Sequence, residues 1–243
     1  FPEIPNQTFK KGEFLKYRVH YGVINAGFAS LEIDKKAFYM HGRPCIHILG
    51  KGSTNSAFDL IYKVRDTYES YIDEKFLISW HFQRKIQEGK YTYSTETYFD
   101  QYNKKAIHFD HKRLKYTFKD KSGIQDVISA FYYARATYDV QQMNAGERLS
   151  LHNFIDKKSF RLWAEFVKRE TIKVNGKKYK GLRFKLLVEE AGLLTDGSKI
   201  EFWISDDANR IPLRVQSDLL IGSIKMDLLE WKNLKHDFSA KLD

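Results

Sequence analysis

Apolar and polar residues alternate with a period of two over most of the chain. Between Glu13 and Val23, every second residue is apolar or aromatic, and Lys16, Arg18 and His20 occupy the positions between them. The same alternation returns in residues 91–99, 114–118, 160–166, 182–188, 200–204, 211–215 and 224–228. One apolar and one charged face are typical of antiparallel strands that cover a core on one side.

Turn signals separate these segments. Asn175-Gly176 and Asp196-Gly197 are strong hairpin signals, because their residues tolerate positive φ. The spacing of the turns predicts roughly twelve to fourteen strands, and open twisted sheets rarely exceed about ten. The sequence therefore predicts an all-β fold, a large antiparallel meander that forms a closed or partly open β-barrel.

One segment, residues 126–138, has a helical pattern instead. Asp126 is a candidate N-cap, and apolar residues then follow at helical spacing: Val127, Phe131, Ala134 and Tyr138. This mid-chain helix is predicted to plug or cover the barrel, and a second short helix is predicted over residues 56–62. No Pro-rich or Ser-rich linker separates the two β halves, residues 12–122 and 147–234, so we expect a single domain over residues 1–243.

Charge and composition narrow the choice of partners. Lys and Arg number 41 against 31 Asp and Glu, a net charge of +10, and basic residues are concentrated in 103–122 and 166–185. A basic balance favours anionic partners, although the exposed faces of basic strands explain such runs equally well. No apolar run approaches the roughly 18 residues that cross a bilayer. The single cysteine, Cys45, rules out an internal disulfide.

Catalytic and cofactor motifs are not found. The chain has no Gly-x-Ser-x-Gly, Walker or His-Glu-x-x-His sequence. The segment Gly50-Lys51-Gly52 is better interpreted as a turn than as a phosphate loop. His108, Asp110 and His111 could not all face one metal from a regular strand. We therefore predict a non-enzyme with no cofactor and no metal site.

The candidate site residues are Ile128, Phe131, Tyr132 and Arg135, which the helix would place at the opening of the barrel. A buried guanidinium needs a partner, and two interpretations of Arg135 stay open. It could pair with a carboxylate that fixes the helix to the barrel. It could instead bind the phosphate or carboxylate head group of a ligand at the mouth of a cavity.

Several segments together resemble a known bacterial family. They are Gly12-Glu13-Phe14-Leu15-x-Tyr17-x-Val19-x-Tyr21-Gly22, Ala26-Gly27-x-Ala29, residues 126–135, Phe202-Trp203-Ile204-Ser205-Asp206-Asp207-x-Asn209-Arg210-Ile211-Pro212 and Ile221-Gly222-Ser223. On these the chain resembles the exported family known as domain of unknown function 3108, in particular its members from the Bacteroides group. The resemblance implies an exported β-barrel-like protein of the cell envelope and assigns no catalytic residues. More loosely, the fold is similar to periplasmic lipoprotein-carrier barrels.

The leading prediction is a non-catalytic protein of the periplasm or cell envelope that binds an apolar or amphiphilic ligand, such as a lipid, in the barrel. A start at Phe1-Pro2 suits a mature protein whose signal peptide has been removed. The alternative is an interaction module that uses the basic strands to bind anionic envelope glycans or outer-membrane proteins. We expect a monomer and no nucleic-acid partner.

Overall fold

The computed structural model describes residues 1–190, 193–195, 200–219 and 222–242. Within them, seventeen strands form one antiparallel sheet. The predicted turn at Asp196-Gly197 and residue Ile221 of the resemblance lie outside the described residues. The predicted all-β fold is confirmed, because the period-two segments form strands and Asn175-Gly176 lies in the turn between two of them. The turn predicted at Gly50-Lys51-Gly52 is wrong, because these residues continue the strand Arg43–Thr54 and pair with a neighbouring strand on each side.

The strands of the first half are β1 (Phe14–Tyr21), β2 (Ile24–Ile33), β3 (Phe38–Met40), β4 (Arg43–Thr54), β5 (Arg65–Asp73), β6 (Ser79–Glu88), β7 (Tyr91–Asp100), β8 (Lys105–Phe109) and β9 (Lys115–Lys119). Those of the second half are β10 (Arg148–Ile155), β11 (Lys158–Val174), β12 (Lys177–Glu190), β13 (Leu193–Thr195), β14 (Ile200–Ser205), β15 (Pro212–Asp218), β16 (Ser223–Lys232) and β17 (Lys241–Leu242). Two α-helices, α1 (Ser56–Asp59) and α2 (Val127–Thr137), and a 3₁₀ turn (Val140–Gln142) complete the described elements.

The sheet runs without interruption through both halves of the chain. Its lateral order is β9-β8-β7-β6-β5-β4-β2-β1-β16-β15-β14-β12-β11-β10, with β3 beside β4, and with β13 and β17 beside β12. The two halves meet where β1 pairs with β16, from Phe14 opposite Lys232 to Tyr21 opposite Ile224. The first and last long strands of the chain are therefore neighbours.

The barrel is partly open, the second of the two predicted forms. Among the described strands, the edge strands β9 and β10 do not pair with each other. The segment that leads into α2 lies along β10 instead: the Gln125 N–H donates to the His152 carbonyl, and the Phe154 N–H donates to the Gln125 carbonyl. The open edge of β10 is thus covered by a short stretch of extended chain, a common protection for sheet edges.

Helix α2 begins where the sequence predicts. Asp126 is its N-cap, and Asp126 Oδ1 accepts hydrogen bonds from the Ile128 and Ser129 amides at 2.8 and 2.9 Å. Asp126 Oδ2 accepts from the hydroxyls of Ser70 on β5 and Ser79 on β6, both at 2.6 Å. The cap therefore also fastens the helix to the first half of the sheet. Helix α1 is shorter than predicted and ends at Asp59.

The interior of the first half is filled by large side chains. Phe9, Ile72, Phe99, Tyr132 and Phe154 belong to one cluster there, and each is 1% exposed or less. The second half also has clusters of buried side chains, but space stays open between its strands and α2. No helix among the described residues is long and apolar enough to span a bilayer.

Candidate functional site

An apolar cavity of about 460 Å³ lies between α2 and the second half of the sheet. The period-two positions of the strands form its wall, because alternate residues of a strand face the same side. The strand residues of this wall are Leu149, Leu151, Leu162, Ala164, Phe184, Leu186, Ile200, Phe202, Ile204, Pro212, Val215 and Met226, with Leu31 from β2. Within the described residues, Arg135 and Arg210 are the only charged or polar side chains among those that line it.

Helix α2 forms the remaining side of the cavity. Val127, Ile128, Ala130, Phe131 and Ala134 line it, so most of the helical apolar stripe found in the sequence borders a ligand-sized space, and Val127, Ile128 and Phe131 also contact the core of the first half. The helix is held at both ends by polar contacts, Asp126 at its N-terminus and Arg135 in its last turn. It could not move into the cavity without breaking these contacts.

Three of the four predicted site residues line this cavity: Ile128, Phe131 and Arg135. Tyr132 points elsewhere, because each residue of an α-helix is rotated by about 100° from the one before. Its ring packs edge-on against Phe9 at 4.8 Å between centroids and is 0% exposed. Burial raises the pKa of the Tyr132 phenol. Tyr132 therefore belongs to the core that supports the helix.

Arg135 is an anchor between the helix and the sheet. Its Nη1 and Nη2 donate to the two carboxylate oxygens of Glu13 at 2.7 and 3.0 Å, and both side chains are 1% exposed or less. Its Nε and Nη2 also donate to the Asn209 carbonyl at 3.2 and 2.8 Å. Burial would lower the pKa of Arg135, but the Glu13 carboxylate, with smaller contributions from Tyr132 and Tyr17, raises it. The geometry favours the carboxylate-anchor interpretation.

Arg210, which sequence reasoning did not select, is a second arginine at the cavity. Its Nη1 donates to the carbonyls of Arg135 and Tyr138 at 2.9 and 2.6 Å, at the end of α2. A cation at this position complements the negative end of the helix. The signal in the sequence was its place in the segment Asp206-Asp207-x-Asn209-Arg210, which is one of those that carry the family resemblance.

The turn between β14 and β15 fixes the position of Arg210. Asp207 Oδ1 accepts hydrogen bonds from the Asn209 and Arg210 amides at 3.0 and 3.2 Å. Arg210 has a φ of 50°, a left-handed conformation that a residue with a side chain adopts at some cost. These contacts hold the backbone in that conformation and direct the guanidinium to the end of α2.

The His108-Asp110-His111 segment and Cys45 are not arranged as a metal site in the part of the chain that the structure describes. In the described parts of the chain, no group of three His, Cys, Asp or Glu side chains is placed to hold a metal ion. His108 bonds to the Thr97 hydroxyl at 2.9 Å, while Asp110 Oδ1 accepts from the amides of its own turn. Burial raises the pKa of Cys45 to about 11, which makes it a poor nucleophile.

A single antiparallel sheet curled around a helix, with an apolar cavity inside, defines a β-barrel-like protein. Residues 16–229 match the family DUF3108, "Protein of unknown function", and the chain belongs to this family. The resemblance found in the sequence is therefore confirmed. No curated protein matches the chain.

Solved structures with this fold include a β-barrel-like protein of the domain of unknown function DUF1849 from Brucella abortus. It is 9% identical, with a TM-score of 0.61 over 94% of this chain and 99% of that chain. Two others match over 94% of this chain at 10% identity. One is a protein of Bacteroides fragilis with a YmcC-like fold, described as exported (TM-score 0.35, 99% of that chain). The other, from Parabacteroides distasonis, is described as a lipoprotein (TM-score 0.34, 100% of that chain). The similarity to the Brucella protein supports the barrel-like fold alone.

Proposed function

We propose that the protein is a non-catalytic component of the cell envelope that binds an apolar or amphiphilic ligand, such as a lipid, in the cavity beneath α2. The observation that carries the proposal is the cavity itself, about 460 Å³ and lined by aliphatic and aromatic side chains. Ligand sites in proteins usually measure about 300–1,000 Å³ and are mainly apolar with a few polar groups. The cavity under α2 fits both criteria.

The contrast between the two halves of the interior supports the same proposal. The first half is closely packed, as protein interiors normally are. The side chains around an empty apolar space of this size lose dispersion contacts and hydrophobic burial unless a ligand fills the space. A bound acyl chain would restore both without any change in the positions of α2 and the strands.

The first experiment is native mass spectrometry of the protein purified without detergent, followed by solvent extraction of the co-purifying material. We expect a stoichiometric adduct that persists in high salt and releases a lipid. The same spectrum reports the oligomeric state, for which we propose a monomer. A mass without adduct, in a preparation that preserves the lipid of a known carrier, would contradict the proposal.

A cavity-filling variant tests the location of the ligand. Ala164 lines the cavity on β11, so Ala164→Phe should place a ring in the space and displace the adduct. Leu229→Phe, at a 39% exposed position, is the matched control and should keep the adduct. Ala134→Leu on the opposite side provides a second, smaller filling if Ala164→Phe does not fold. An adduct that persists in both filled variants would exclude the cavity as the site.

The envelope location is the expectation of the family resemblance and belongs to the proposal. Expression of the full-length gene, followed by fractionation of the cells, tests it. We expect the protein in the periplasmic or membrane fraction, and recovery in the cytoplasm alone would contradict the proposal.

One observation favours the alternative function, the binding of an anionic envelope glycan at the surface. A shallow depression on β1, β2, β4 and β16, outside the basic segments 103–122 and 166–185, brings together Lys16, Lys51 and Lys232 with the rings of Phe14 and Phe28. Glu230 also lines this depression and pairs with Lys232. Lysines beside aromatic rings could bind acidic sugars. Salt separates the two functions, because charge-driven binding at an exposed surface weakens as ionic strength rises, whereas a buried acyl chain stays bound.

A further inference from the structure

The charges around the cavity are unbalanced. Two arginines line it, and no acidic side chain does so in the described part of the chain. The positive charge of Arg135 is already paired with Glu13, which is itself 0% exposed. The described hydrogen bonds of Arg210 go to carbonyls and not to a carboxylate, so the charge of Asp139 opposes its positive charge without a described ion pair. An apolar wall with one unbalanced cation is complementary to a molecule with an apolar tail and an anionic head.

Arg210 also has unused hydrogen-bonding capacity. Its Nη1 donates hydrogen bonds to two carbonyls at the end of α2, so this part of the side chain caps the helix. Its Nε is buried and has no partner, and no hydrogen bond of its Nη2 is found among the described residues. Buried donors in proteins are usually partnered, although the Nε atoms of Arg18, Arg84 and Arg183 also lack a partner in this structure. A ligand oxygen in this place would supply the missing acceptor.

The electrostatic surroundings of Arg210 agree with this. Burial lowers the pKa of its guanidinium, the neighbouring Asp139 opposes that change, and the positive charge of Arg135 lowers the pKa further. A second cation so close would be more stable with an additional negative charge nearby. The planar guanidinium is well suited to carboxylate and phosphate oxygens, which it binds with charge-assisted hydrogen bonds.

We infer that Arg210 binds the anionic head group of an amphiphile whose tail occupies the cavity, so that the protein selects anionic over neutral amphiphiles of the same length. This inference rests on the proposed function and adds the charge of the ligand and the residue that recognises it. From the sequence alone, a head-group role for Arg135 was one of two interpretations. Because Glu13 and the Asn209 carbonyl occupy the guanidinium of Arg135, the neighbouring arginine is the better candidate.

The test compares three probes with the same chain length: dodecanoate, dodecyl phosphate and 1-dodecanol. Their affinities for the delipidated protein are measured at pH 8 by displacement of a fluorescent apolar dye. We expect at least one anionic probe to bind about tenfold or more tightly than the alcohol, as a charge-assisted hydrogen bond implies. The stronger of the two anions identifies the head group as a carboxylate or a phosphate.

Variants then assign the selectivity to Arg210. Arg210→Gln removes the charge but keeps an amide donor for the helix carbonyls, and it should reduce the preference for the anion to about twofold while the alcohol binds as before. Arg210→Lys keeps the charge and should retain most of the preference. Arg113→Gln removes an exposed charge on the β8–β9 turn and is the matched control, expected to change nothing. Melting temperatures confirm that each variant is folded.

Each outcome has one meaning. If all three probes bind equally to the wild type, or if Arg210→Gln keeps the preference, the inference is wrong and the proposed function stands. If no probe binds to the delipidated wild type, the proposed function is contradicted and the inference fails with it. If Arg210→Gln does not fold, the Arg210→Lys variant is used instead. A folded Arg210→Lys variant that binds anionic and neutral probes equally, although it keeps the positive charge, would also contradict the inference.

Discussion

The ion pair between Glu13 and Arg135 should be one of the most sensitive points of the fold. The variant Glu13→Gln keeps the shape of the side chain and removes its charge, which leaves a guanidinium that is 1% exposed without a counter-charge. Removal of one partner of a buried pair costs about 3–5 kcal/mol in the free energy of unfolding. The two bonds to the Asn209 carbonyl remain, but a carbonyl does not neutralise the charge.

The expected change is large enough for a thermal melt. In a domain of this size each kcal/mol lowers the melting temperature by roughly 2–4 °C, so we expect a decrease of about 6–20 °C at pH 7. Circular dichroism during heating and urea denaturation give independent values. Glu230→Gln, which breaks an exposed pair with Lys232, is the matched control and should leave the melting temperature within experimental error.

A double variant distinguishes two effects of Glu13→Gln, the loss of the ion pair and the burial of an unpaired guanidinium. Glu13→Leu with Arg135→Met replaces the pair by apolar groups, so it should be clearly more stable than Glu13→Gln alone. If Glu13→Gln has the same melting temperature as the control variant, the ion pair does not hold α2 in place and our reasoning about the anchor is refuted. If the double variant is as unstable as the single one, the loss has a cause other than the unpaired guanidinium.

Three further predictions concern single buried groups. Asp126→Ala removes the N-cap of α2 and should lower stability to urea by about 1–2 kcal/mol, and an unchanged midpoint would contradict the capping role. Because burial raises the pKa of Cys45 to about 11, a thiol reagent at pH 8 should modify the native protein far more slowly than the urea-unfolded protein; equal rates would refute this. Burial lowers the pKa of His81 below 6.5 although Glu96 opposes it, so folding favours neutral His81 and stability should fall as pH decreases from 6.5 towards the lower folded-state pKa. His81→Gln should flatten that part of the stability curve, and an NMR titration midpoint of His81 at or above 6.5 would exclude the effect.

Much of the architecture could be predicted because its causes are local. The alternation around Tyr17 and the turn residues Asn175-Gly176 act over a few positions, so they predict strands and hairpins without knowledge of the rest of the chain. The same holds for α2, whose N-cap Asp126 and apolar stripe are within one short segment. The local signals also identified three residues of the cavity wall, Ile128, Phe131 and Arg135.

Distant contacts could not be predicted in this way. Glu13 and Arg135 are separated by 122 positions, and many carboxylates could have served equally well as the partner. The unused capacity of Arg210 depends on where the β14–β15 turn meets the end of α2, which no spacing in the sequence reveals. Tyr132 was predicted to belong to the site, but its side chain lies in the core. The sequence pattern shows that two sides of the helix are apolar, and it does not show what each side packs against.

By itself, the sequence determined the class of fold, the position of the helix and the family to which the chain belongs. The period of two sets which side chains share a face, and that follows from backbone geometry alone. Only the tertiary structure decided that the first half of the interior is filled while the second encloses a cavity, and that Arg135 binds a buried carboxylate while the described hydrogen bonds of Arg210 go to carbonyls. Whether two apolar faces pack together or leave a space between them depends on how pairing such as that of β1 with β16 curves the sheet around α2, and that is a property of the whole chain.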